Sequence, residues 1–232
     1  MSWKQAYRSM YYQGAPEPED MVLDPVETAL LVIDIQNEYM ERPDRDTLSP
    51  DELAQYDAWT PFHERMWNSV IPNTKRALAD FRERGVECLF ARIACLKEDG
   101  RDRSLSQKKP GWNYLLMPHT THKSQLLSEV GPINGEIEVC KTTDSALTGT
   151  NLRLVLPNMG IKNVVLAGIF TDQCVSSTVR SLADESYNVI VLEDCCAAAT
   201  DDLHYKELEI INMIYCHVMQ YDELKPMLDK AN

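Results

Sequence analysis

The sequence predicts an α/β fold: three layers, α/β/α, around a mostly parallel sheet of roughly six strands. Short, nearly continuous apolar runs rich in branched residues recur along the chain, as strands buried on both faces require. Segments of helical periodicity separate them, and that alternation gives right-handed βαβ crossovers. The 232 residues, 44% hydrophobic, suffice for one large core. A single domain over residues 1–232 is expected, with a polar N-terminal extension over about residues 1–25.

In chain order, residues 28–35 (TALLVIDI) read as the first buried strand. Thr60 and Pro61 form an N-cap and N1 pair that opens a helix, Pro72 breaks or restarts it, and Gly85 ends it. Residues 86–93 (VECLFARI) are the second strand and 137–140 a shorter one. A helix over 151–159 leads to the strand 163–168 (NVVLAG), and a helix over 173–185 leads to the strand 188–192 (NVIVL). Residues 216–219 supply a final short strand. Two stretches, 40–59 and 97–121, do not fit the alternation. Long loops in compact domains act as lids or binding walls, or else as solvated insertions or subunit contacts.

Composition excludes several functions. A net charge of −13 argues against nucleic acid or an anionic membrane as partner, because both require basic surfaces. The first twenty residues hold Pro16, Glu17, Pro18, Glu19 and Asp20, with neither the apolar core of a signal peptide nor a membrane span. Seven cysteines without a secretory signal fit a reducing compartment, so the cytoplasm is the expected location.

Three residues fall where such a sheet gathers catalytic groups, beyond the carboxyl ends of its strands. Asp34 ends the first strand, Lys141 follows the short strand, and Cys174 follows the strand that stops at Gly168. Singly, an aspartate after a strand is a turn residue, a lysine is solvated, and a cysteine is a small hydrophobe. Together they make chemical sense. A thiol needs a cation and a proton acceptor to react, and the positive end of a helix beginning near Gln173 also favours the thiolate. Adjacent Cys195 and Cys196 have no second pair at metal-ligand spacing and read as buried structural thiols.

The order Asp34-x-Gln36, Lys141 with Asp144-Ser145-Ala146 and Gly149-Thr150-Asn151-Leu152, then Ala167-Gly168-Ile169-Phe170-Thr171-Asp172-Gln173-Cys174-Val175 with Ser177-Thr178, resembles the isochorismatase-like cysteine hydrolase superfamily over about residues 28–199. The resemblance implies a six-stranded parallel sheet, homodimers or homotetramers, and a catalytic trio of Asp34, Lys141 and Cys174. It also implies an oxyanion hole from the backbone N–H groups of Phe170 and Cys174, with a cis peptide before Phe170. The implied reaction is hydrolysis of an amide through a thioester on Cys174.

Within that superfamily, nicotinamidases carry a histidine-based metal site between the second strand and the lysine. Residues 92–104 contain no histidine, and His119 and His122 read as surface or capping residues, so no metal and no cofactor are expected. Isochorismatases typically lack the cysteine. A metal-independent amidohydrolase acting on a small linear amide, with ureido or carbamoyl compounds favoured, is therefore preferred. The alternatives are a nicotinamidase-like or isochorismatase-like hydrolase, a thiol redox protein, or a non-catalytic binding partner. For substrate binding, Arg92, with Arg101, Arg103 and Lys108, is the candidate holder of a carboxylate. Tyr39, Trp112 and Phe170 are candidate apolar walls, and Gln36 and Thr171, which stand in the quoted motifs, complete the set.

Overall fold

The structure, a computed structural model, describes residues 2–229. Its elements in chain order are β1 (Thr28–Ile33), α1 (Asn37–Met40), α2 (Pro50–Ala58), α3 (Thr60–Arg65), α4 (Ile71–Glu83), β2 (Glu87–Ile93), β3 (Ile137–Lys141), α5 (Leu152–Asn158), β4 (Asn163–Ile169), α6 (Ser176–Asp184), β5 (Asn188–Ala197), α7 (Asp201–Ile211), β6 (His217–Met219) and α8 (Tyr221–Asp229). The six strands form one sheet in the order β3-β2-β1-β4-β5-β6, and every pairing is parallel. This is the expected three-layer architecture.

Side chains alternate across a strand, so each buried strand feeds two cores. Leu30 and Val32 of β1 join Val165 and Ala167 of β4 beneath α3, α4 and α8, where Phe62, Leu78, Phe81 and Tyr221 fill the layer. Ala29, Leu31 and Ile33 join Val164 and Leu166 on the opposite face, beneath α5, α6 and α7. Burial on both faces is why the strands read as continuous apolar runs.

The differences from the expected elements have local causes. β1 stops at Ile33, two residues early, because Asp34 adopts a left-handed backbone with φ 55°; the short polar side chain of aspartate tolerates that region. Lys141 is the last residue of β3 rather than the one after it. β5 runs five residues past Leu192, carrying Cys195 into one core and Cys196 into the other. Thr60 does not cap a helix start. Helix α2 precedes it, and its hydroxyl donates to the Tyr56 carbonyl at 3.2 Å.

Of the two expectations for Pro72 the restart holds: a π-helical turn over Met66–Val70 joins α3 to α4 without a break, and α4 begins at Ile71 with the proline in its first turn. Part of the segment 40–59 is thus α2, begun by Ser49, whose backbone N–H and hydroxyl both donate to Glu52. The segment 97–121 contains no regular helix or strand. The N-terminal stretch is docked: Trp3 and Leu23 are buried, and the Asn212 side chain donates to the carbonyls of Ala6 and Tyr7.

β1 and β4 approach closely at their carboxyl ends, where Ile33 pairs with Gly168. Gly168 has φ 128°, sits at a register shift between β4 and β5, and would drive any Cβ into the backbone of Ile33. Gly168→Ala is expected to destabilise the fold by about 3 kcal/mol or more, read as a fall in the urea midpoint. An unchanged midpoint would show that this approach does not constrain the sheet.

Candidate active site

Strand order reverses between β1 and β4, with β2 and β3 on one side and β5 and β6 on the other. Crevices open at such switch points beyond the carboxyl ends of the strands. Asp34 comes from the end of β1, and Cys174 lies in the π-helical turn Thr171–Val175 between β4 and α6. Lys141 starts from β3, two strands from β1, a separation of roughly 9–10 Å. A long side chain is needed to cross it.

Lys141 Nζ lies 2.7 Å from Asp34 Oδ2 and 3.2 Å from Cys174 Sγ, and it donates to the Thr143 carbonyl at 3.2 Å. All three side chains are buried. Burial pushes the Asp34 carboxyl above its ordinary value while the Lys141 charge pulls it back. For Lys141, burial works against the charge, and Asp34 followed by Cys174 outweighs it and holds the pKa up. Burial, then the Asp34 charge, raises the Cys174 thiol well above the ordinary range, with Lys141 opposing. Desolvation of the anion thus opposes the help expected from the helix terminus.

The turn that carries Cys174 is anchored from both sides. Thr178 Oγ1 donates to the Cys174 carbonyl at 2.7 Å and accepts from the Ala146 N–H at 2.9 Å, tying α6 to the segment after β3. Beneath the turn, Thr171 Oγ1 is 2.7 Å from His204 Nδ1, and His204 Nε2 is 2.7 Å from Arg65 Nη2. Burial and Arg65 lower the His204 pKa to about 3. The neutral ring accepts from Arg65, which can only donate, and gives its Nδ1–H to Thr171. The Ile169–Phe170 peptide is cis.

Several proposed binding residues are occupied elsewhere. Gln36 is fully buried; its amide donates to the carbonyls of Ile93 (3.0 Å) and Ser124 (2.8 Å) and accepts from the Ile93 N–H (3.0 Å). Arg92 is buried against Glu138 at 2.5 Å and donates to His119 and Ser124. Thr171 is buried on His204. The Gln36 amide is fully used by these bonds, and the contacts of Arg92 and Thr171 tie neighbouring segments together. Arg103 donates to Gln107 and to the Leu115 carbonyl, Lys108 donates to the Arg101 carbonyl, and Arg101 is an exposed neighbour of Asp99.

Tyr39, Phe170 and Trp112 do line a cavity of about 920 Å³, with Tyr56, Trp59 and Phe62. Phe170 packs edge-on to Tyr39 at 5.4 Å and lies 5.2 Å from the Phe62 ring. Cys174 is not on that wall. Tyr39 lines that cavity, and its hydroxyl pKa is raised by burial and then by the charges of Asp34 and Cys174. The aromatic contributions of α2 and α3 were not anticipated; Tyr56, Trp59 and Phe62 at three-residue spacing were the available signal. His119 is bonded to the Cys95 carbonyl and His122 pairs with Glu41 at 2.6 Å, so the two histidines serve different partners. Among the described residues no group of three or more His, Cys, Asp or Glu side chains is arranged to hold a metal ion, and no helix is long and apolar enough to cross a membrane.

The family model described as Isochorismatase domain matches residues 28–223. The chain belongs to the isochorismatase family. It is 30% identical over 190 residues to ureidoacrylate amidohydrolase RutB of Agrobacterium fabrum, covering 76% of this chain and 78% of that protein. Among solved structures, an isochorismatase-like hydrolase from Alkaliphilus metalliredigens is 27% identical with a TM-score of 0.64, over 85% of this chain and 96% of that one. N-carbamoylsarcosine amidase from Thermoplasma acidophilum shares the fold at 24% identity and a TM-score of 0.64, over 84% of this chain and 97% of that one.

Because Gln36 satisfies three buried backbone groups, Gln36→Leu is expected to cost about 3 kcal/mol in urea unfolding. Full stability with a raised KM would instead return Gln36 to the substrate.

Proposed function

We propose that this member of the isochorismatase family is a metal-independent amidohydrolase that cleaves the C–N bond of a small linear amide, ureido or carbamoyl compounds favoured, through a thioester on Cys174. The observation that carries this reading is the position of the Lys141 ammonium between the Asp34 carboxylate at 2.7 Å and the Cys174 sulfur at 3.2 Å, all out of solvent. The likeness to a ureidoacrylate amidohydrolase supports the choice of bond and substrate class.

In this reading Asp34 takes the thiol proton and Lys141 balances the sulfur anion that results. A raised carboxyl pKa suits Asp34 to hold that proton, and the high thiol pKa makes the anion a strong nucleophile once formed. The sulfur bonds to the carbonyl carbon, and the backbone N–H groups of Phe170 and Cys174 receive the oxyanion. As the C–N bond breaks, Asp34 returns the proton to the leaving nitrogen. Water then gives a proton to Asp34 and its oxygen to the thioester, the S–C bond breaks, and the thiol is restored. Tyr39, Phe170 and Trp112 form the apolar side of the substrate's approach. A cytoplasmic homodimer or homotetramer completes the reading.

Ammonia release tests it, with a panel of N-carbamoyl acids, biuret-like ureides, nicotinamide and aliphatic carboxamides, with and without chelator. Release from a ureide that resists chelator and falls about a thousandfold or more in Cys174→Ser is expected. Turnover by Cys174→Ser at the ordinary rate, or its loss to chelator, would overturn the mechanism.

A further inference from the structure

The thiol has a second carboxylate beside it. Asp144 stands three residues beyond Lys141, and its Oδ1 lies 3.8 Å from Cys174 Sγ. Its place relative to the thiol is fixed by the segment that follows. Ala146 is bonded to Thr178 on α6, Thr178 holds the Cys174 carbonyl, and Ser145 meets Ser181 at 2.9 Å.

From the other side, the segment 97–121 reaches in. Ser104 N–H donates to the Thr142 carbonyl at 3.2 Å, and buried Gln107 donates its side-chain amide to Asp144 Oδ1. The Gln107 carbonyl oxygen accepts from Arg103 Nη2 at 2.9 Å, and Arg103 is itself 3% exposed. Arginine can only donate, so the Gln107 oxygen must face it and the Gln107 NH₂ must face Asp144. That orientation requires an acceptor at Asp144 and keeps its carboxylate turned to the thiol. Oδ2 has no hydrogen-bond partner among the described residues.

The two carboxylates at the sulfur differ. Asp34 is 2% exposed and paired with Lys141, whereas Asp144 is only partly buried and has no ion pair among the described residues. An amide or ureido group brings N–H donors to the reacting carbon; a free carboxylate brings only negative charge. We propose that Asp144 is a specificity-determining residue, accepting a hydrogen bond from an N–H of the substrate's amide group beside Cys174 and repelling free carboxylates from that position. Gln107 and Arg103 are its positioning residues. The inference rests on Cys174 being the nucleophile.

Two electrophiles of nearly equal size and opposite character test it: iodoacetamide and iodoacetate. Each forms an S–C bond as the C–I bond breaks and iodide leaves, so the amide product is not needed to read the effect. Rates at Cys174 are measured by peptide mass spectrometry, alongside N-acetylcysteine as a free thiol. The protein is expected to prefer iodoacetamide over iodoacetate by at least about tenfold more than the free thiol does, and Asp144→Asn to lose about tenfold of that preference. Asp144→Ala gives the same reading if the asparagine variant does not fold. An unchanged preference in a folded variant would overturn the assignment of Asp144 while leaving the nucleophile intact. Failure of both reagents to label Cys174 in any of the proteins would remove the nucleophile, and this inference with it.

Discussion

The buried ion pair between Lys141 and Asp34 is the constraint to which the rest of the site conforms. Each charge alone would be costly to desolvate by several kcal/mol, and only a close partner with further hydrogen bonds makes the arrangement tolerable. The 2.7 Å contact and the Thr143 carbonyl meet that need for Lys141 and leave it a third direction, in which Cys174 stands at 3.2 Å, whereas the buried Asp34 oxygens have no hydrogen bond beyond that ion pair among the described residues. The same dry surroundings raise both the Asp34 carboxyl and the Cys174 thiol. A cysteine beside a carboxylate whose pKa burial raises is an arrangement in which proton transfer and attack can be coupled.

Sheet topology makes that pair possible. The reversal of strand order at β1 and β4 brings Asp34 and Cys174 to one crevice, and the backbone contact of Gly168 with Ile33 lets the two strand ends approach. Lys141 has to span from β3, which explains a fully buried lysine where a shorter side chain could not reach. Around this centre, Gln36, Arg92, Thr171 and His204 spend their polar groups on neighbouring backbone and side chains, holding loop ends that would otherwise leave buried donors and acceptors unmet.

The strands, and the gathering of Asp34, Lys141 and Cys174, were legible in the sequence because each has a local signal: branched apolar runs for β1, β2, β4 and β5, and chemically matched residues at or shortly after strand ends. The contacts of Gln36, Arg92 and Thr171 were not legible, for one reason. Gln36 and Thr171 stand beside Asp34 and Cys174 along the chain and Arg92 near the end of β2, yet whether a polar side chain faces a pocket or a backbone carbonyl depends on partners such as Ser124, Glu138 and His204, far away in sequence. Helix α2 carried a readable signal in Ser49-Pro50-Asp51-Glu52, hidden by the polar composition of its surroundings. Pro72 marked the start of α4, but not the π turn before it that keeps the helix continuous. The contact of Gln107 with Asp144 joins two irregular segments, and no periodicity encodes such a pairing.

The central claim is that Cys174 carries the acyl group during turnover. Acid quenching of the working enzyme on a ureide, followed by mass spectrometry of the intact chain and of its peptides, tests it most directly. The account predicts an acyl adduct confined to the peptide containing Cys174 that disappears when substrate is exhausted. Full turnover with no adduct on that peptide at any quench time, under conditions that preserve a control thioester, would contradict it.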